Sequence, residues 1–149
     1  MTATRSAFGA LLAQTARHWR RAVDRELQPF GLTEATWLPL LRLARAPESM
    51  RQKALAASLS LEGSSVVRLL DSLQTAGLIE RREDEADRRA KAIVLTVLGR
   101  AIVEQVEAVA RDVRERALAG VSEPDIQTTI RVLDHIDRRL SAAAEERTP

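Results

Sequence analysis

From Arg51 to Ile79 the chain reads RQKALAASLSLEGSSVVRLLDSLQTAGLI. Apolar residues recur there at three- and four-residue steps twice over, first as Leu55, Ala56 and Leu59, then, beyond SLEG, as Val66, Leu69, Leu70 and Leu73. Two amphipathic helices this short cannot bury their stripes alone, and a joint of a few residues obliges them to share one core. With small Ala and Ser residues near the crossing, the pattern predicts a helix-turn-helix. Gly77 stands where a left-handed residue closes the second helix.

The flanks fit around that unit. Leu11, Leu12, Thr15, Trp19, Ala22, Val23 and Leu27 mark a long first helix that QPFG at 28–31 stops. Thr33 offers an N-cap for a short second helix with Leu40, Leu41 and Leu43 inward, provided Pro39 sits in its opening turns. LIERR and AIVLT predict two strands of a hairpin whose connection, EDEADRRAK, is a charged tip. Thr96 can cap a long helix bearing Ile102, Val106, Val109 and Val113. SEPD at 122–125 is a capping-box-like start for a last helix with Ile126, Ile130, Leu133, Ile136 and Leu140. The terminal helices are more apolar than so small a central unit can cover, which points to a symmetric homodimer.

At 149 residues the chain fits one domain. It has no cysteine, which excludes a disulfide framework, a thiolate metal site and a thiol redox sensor. Its two histidines, His18 and His135, lie in different terminal helices, so no metal site is expected. No GxSxG, HExxH, Gly-rich phosphate loop or Cys–His pair occurs, and the carboxylates at 83–87 fall on an exposed turn where nothing would tune them, so neither enzyme nor cofactor chemistry is expected. With no signal-like start and no membrane-length apolar stretch, the expected location is cytoplasmic. Net charge is only +2 despite an isoelectric point near 9.9, so any attraction to polyanions depends on where the arginines sit.

With Val66, Leu69, Leu70 and Leu73 inward, Ser64, Ser65, Arg68 and Ser72 share the opposite face of the second helix of the pair. Short side chains permit close approach to a major groove, hydroxyls suit phosphate, and an arginine can read guanine. The alternative is a merely solvated helix face. At the hairpin tip Asp87 and Arg89 project to one side if extended, flanked by Arg88 and Lys91. An acid that orients Arg89 would present a guanidinium to a minor groove. Against this, Glu83, Asp84 and Glu85 would repel phosphate, as in a plain solvated charge run.

LTEATW, LSLEGSSVVRLLDSLQTAGLIERR, DEADRRAKAIVLT and LGR together, with RHWRRAVDRELQPFGLTEATW, closely resemble the MarR family of winged helix-turn-helix regulators and its SlyA-like branch, from about Ala10 to Leu140. The resemblance implies a mainly α (α+β) fold in a single domain, 1–149. Helices at about 5–32 and 97–146 would form a dimerisation region, and about 33–96 a DNA-binding lobe. It implies double-stranded DNA as partner, with Ser64, Ser65 and Arg68 in the major groove, Arg89 as the wing arginine, Asp87 as its orienting acid and Arg88 on the backbone. One departure is that Met50 and Arg51 stand where a hydroxyl residue usually opens the third helix, so either Ser49 caps that helix one turn early or the helix starts less firmly.

Members of this branch often release DNA on binding small aromatic carboxylates or phenols. Arg17 and Trp37 match the positions that meet such ligands, Trp19 lies nearby, and Leu41 replaces a frequent histidine. An arginine can clamp a carboxylate and an indole supplies a flat wall; the alternative makes both tryptophans core residues and Arg17 a surface base. A second class of function, a helical protein-interaction module that does not bind DNA, is open at this point.

Overall fold

The computed structural model describes residues 2–146. In chain order it runs α1 (Ala3–Leu27), a 3-10 turn (Gln28–Phe30), α2 (Glu34–Arg45), β1 (Met50–Arg51), α3 (Gln52–Leu59), α4 (Gly63–Thr75), β2 (Ile79–Glu83), β3 (Lys91–Leu95), α5 (Val97–Ala117) and α6 (Glu123–Glu145). Two compact units, Met1–Val113 and Arg114–Pro149, divide within α5. Helices dominate and the strands form one small antiparallel sheet, a winged helix-turn-helix.

In the first unit, α3 and α4 share a core as their spacing predicts: Leu55, Val66, Leu70 and Leu73 are buried with Leu40, Leu78, Ile79, Ile93 and Val103. The left-handed residue in their joint is Ser60 (φ 53°), not Gly63, and its neighbour Leu61 donates back to the Ala56 carbonyl at 3.0 Å. Gly77 (φ 76°) closes α4: its amide donates to Gln74 O at 2.9 Å and that of Leu78 to Leu73 O at 3.0 Å, the paired bonds of a Schellman stop.

The sheet order is β1-β3-β2. Register runs from Ile79↔Leu95 to Glu83↔Lys91 in the hairpin, while Met50 and Arg51 pair with Ile93 and Ala92. The third strand decides between the two alternatives for this segment in favour of the less firm start. Because Met50 and Arg51 are spent on the ladder, Ser49 does not cap an early helix; α3 opens at Gln52 with Arg51 in the N-cap position and no side-chain cap bond.

Pro39 lies in the second turn of α2, within the opening turns, buried, where its missing N–H costs the Ala35 carbonyl its helical partner, and the helix continues to Arg45. Thr33 occupies the N-cap position, but its hydroxyl faces that of Thr36 at 3.4 Å instead of a backbone amide.

Thr96 does cap α5. Its Oγ1 accepts from the Gly99 amide at 3.0 Å and donates to the Gly77 carbonyl at 2.6 Å, tying the start of α5 to the end of α4. A Cβ on Gly99 would collide with the Leu78 carbonyl oxygen, so this crossing requires glycine.

A second apolar cluster joins Val23, Leu27, Leu32, Trp37, Leu41, Val106 and Val113. The earlier apolar residues of α1 have no such cover: Phe8, Leu11, Leu12 and Trp19 are exposed, Leu11 at 62%. In the second unit Ser122 caps α6 by accepting from the Asp125 amide at 3.3 Å. No residue of α6 is buried, and Ile130, Val132, Leu133 and Leu140 are exposed. No helix among the described residues is long and apolar enough to cross a membrane.

Candidate nucleic-acid interface

α4 turns Val66, Leu70 and Leu73 into the core, and that orientation leaves Ser64, Ser65, Arg68 and Ser72 exposed on its outer face. Among the described residues these four side chains make no hydrogen bond or ion pair, so their polar groups stand open to an incoming ligand. Two further residues complete the face. Val67, 41% exposed, is an apolar element of the kind that meets a thymine methyl. Asp71 would oppose a phosphate, but Arg81 Nη2 of β2 donates to its carboxylate at 2.7 Å and offsets the charge. The heptad-like stripe locates this face; the Asp71–Arg81 pair depends on how α4 lies against β2, which spacing does not encode.

The hairpin tip between β2 and β3 is closed by its backbone and its acids. The Asp84 amide donates to Ala90 O at 3.1 Å, and the Ala90 amide to Asp87 O at 3.0 Å. Asp84 Oδ1 accepts from the Ala86 amide at 2.9 Å and Asp87 Oδ1 from the Arg89 amide at 3.0 Å, two successive Asx turns.

These bonds change the part assigned to Asp87. Its carboxylate holds the backbone of Arg89, not the guanidinium, so it fixes where Arg89 starts and leaves its side chain free to swing. The chain is turning at this point, which removes the extended geometry that would have put the two side chains together. Arg88, Arg89 and Lys91 are exposed and, among the described residues, without an ion pair.

Asp84 is more than a solubilising acid. Arg51 Nε donates to its Oδ2 at 2.6 Å, a link between residues 33 apart. The Ala86 amide first, and the Arg51 side chain second, hold the Asp84 carboxyl below the usual carboxylate range. The same hydrogen bond raises Arg51. An open groove of about 1140 Å³ lies between α3 and the hairpin tip, with Arg51 and Asp84 among its lining residues.

The four residues singled out for an effector are not gathered around an opening in the same way. Trp37 is only 2% exposed, packed in the second cluster with Leu41, and its Nε1 donates to Asp24 Oδ1 at 3.1 Å. Arg17 and Trp19 lie on the exposed part of α1. Among the described residues no group of three or more His, Cys, Asp or Glu could hold a metal ion.

Comparison with known proteins points the same way as this geometry. The family model of the MarR family matches residues 30–90. The transcriptional regulator PA3341 has a similar crystal structure, with 44% sequence identity and a TM-score of 0.85 over 91% of this chain and 98% of that one. A MarR-family regulator from Rhodococcus sp. RHA1 is 27% identical, with a TM-score of 0.76 over 91% and 96%. CouR from Rhodococcus jostii RHA1, crystallised with p-coumaroyl-CoA, is 28% identical, with a TM-score of 0.78 over 91% and 95%.

Proposed function

The chain belongs to the MarR family of transcriptional regulators, and on that premise we propose that two copies bind a pseudo-palindromic operator, each with α4 in a major groove and its wing against the adjoining minor groove. It is a DNA-binding regulator and not an enzyme. One observation carries the finer reading: the outer face of α4 holds Ser64, Ser65, Arg68 and Ser72 with no protein partner, while the acid on that face is already paired with Arg81. In this reading Arg68 meets a base edge, the serines meet phosphates, and Arg89 enters the minor groove with Arg88 and Lys91 along the backbone.

Helices at about 5–32 and 97–146 are the dimerisation region and about 33–96 the DNA-binding lobe. The support is the row of exposed large apolar residues on each of α1 and α6. With DNA as its partner, the proposed working location is the cytoplasm. A gel shift with the intergenic DNA upstream of its gene, run at two salt concentrations, tests the reading. A dimer that neutralises several phosphates loses affinity steeply as salt rises; retention at high salt, or equal affinity for unrelated duplexes, would contradict it.

We extend the proposal to an effector of the small aromatic carboxylate or phenol class, supported by the p-coumaroyl thioester bound to CouR. Arg17 would meet the anionic group, and Trp19, Trp37 and Leu41 the ring. Since Trp37 and Leu41 are sealed in the core, the ligand has to open that cluster, which makes binding weak and ties it to a change of conformation. Salicylate at millimolar concentration should quench tryptophan fluorescence and lower operator affinity; if it does neither, this part of the proposal falls.

A further inference from the structure

The wing is internally stiff, because two Asx turns and two backbone bonds hold residues 84–90 to one another. Its attachment is sparser. Pairing of β3 with β1 ends at Arg51↔Ala92 and with β2 at Glu83↔Lys91, so the tip projects past both ladders beside an open groove whose other wall includes α3. Among the described residues a single side-chain bond spans that gap, from Arg51 to Asp84. Arg51 ends β1 and occupies the N-cap position of α3, and α3 packs on α4. The bond therefore links the root of the wing to the body that carries the outer face of α4.

We propose that the Arg51–Asp84 pair is the joint that aims the wing, so that both are positioning residues for minor-groove contact; this rests on the DNA-binding reading above. A hairpin tip that projects past its neighbouring strand can twist and sway, and small motion at its root is amplified at Arg89. Electrostatics alone predicts the opposite role for Asp84. A carboxylate near the duplex repels phosphate, so removing it would tighten binding. The sign of the effect decides between a joint and a bystander.

The test uses the intact protein in three variants. Asp84→Asn keeps an acceptor for the Ala86 amide but loses the ion pair, Arg51→Ala removes the other partner, and Arg51→Lys keeps a cation opposite Asp84. Amide exchange at Arg89 and Ala90, measured without DNA, should quicken in Asp84→Asn and Arg51→Ala and stay near the parent rate in Arg51→Lys. Operator affinity should fall about fivefold in Asp84→Asn and Arg51→Ala, with lost protection confined to the minor-groove flanks and an unchanged melting temperature, and should be largely kept in Arg51→Lys. Unchanged wing exchange in Asp84→Asn, or operator binding as tight as or tighter than the parent, would overturn the joint. Failure of the parent protein to bind any duplex would instead overturn the DNA-binding reading, whatever the exchange rates show.

Discussion

Arg89 sits on a tip whose bonds hold its backbone and leave its guanidinium unengaged. Its interaction energy is thus available to the complex and not spent on the fold. Arg89→Ala should weaken operator binding by about 1–3 kcal/mol and leave the thermal unfolding curve in place; anisotropy titration beside a circular dichroism melt checks both. Arg68→Ala should lose more affinity for operator than for random duplex. Equal losses would make Arg68 a phosphate contact only. The Arg51–Asp84 pair keeps its charges through the neutral range, because Asp84 is depressed and Arg51 raised. A depressed carboxyl contributes fully above its unfolded value near 3.9 and loses that contribution only as pH falls through the still lower folded value. Operator affinity should accordingly show no step attributable to this pair between about pH 6 and 9. At this scale the sequence displayed which residues face outward on α4, since helical periodicity sorts them directly. It did not display Arg51–Asp84 or Asp71–Arg81, whose partners meet only through sheet register and helix placement.

Among the elements, the passage from α4 through the hairpin into α5 is the most tightly specified. Thr96 caps α5 and grips the Gly77 carbonyl, and Gly99 lets α5 cross against the Leu78 backbone. Gly99→Ala puts a methyl group into a backbone oxygen that no rotamer change can move aside, and should destabilise the fold by about 1–3 kcal/mol in a denaturant titration. Thr96→Val, which keeps the shape and loses both hydroxyl bonds, should cost about 1 kcal/mol. The helices, the hairpin and the Gly77 stop were legible because each has its own period or terminator. β1 was not. A two-residue strand has no period, and Met50–Arg51 becomes one only by joining β3. Pro39 costs α2 one helical bond, and the buried side chains of Trp37, Leu40 and Leu41 hold the helix through it.

For the whole molecule the decisive quantity is apolar surface without cover. Leu11 on α1 and Leu140 on α6 are 62% and 67% exposed, and their helices carry further uncovered apolar residues. The sequence announced this excess, since the terminal helices were more apolar than the central unit could bury, but it could not show which positions would be left open. If a second copy covers them, Leu11→Glu and Leu140→Glu, each burying a charge at the contact, should shift sedimentation from dimer towards monomer and weaken operator binding in proportion. The measurement that bears most directly on paired recognition is hydroxyl-radical footprinting of the parent protein on its operator. Two related protected half-sites about one helical turn apart, each bordered by minor-groove protection from a wing, are the expected pattern. A single unpaired footprint, or protection without regard to sequence, would contradict it.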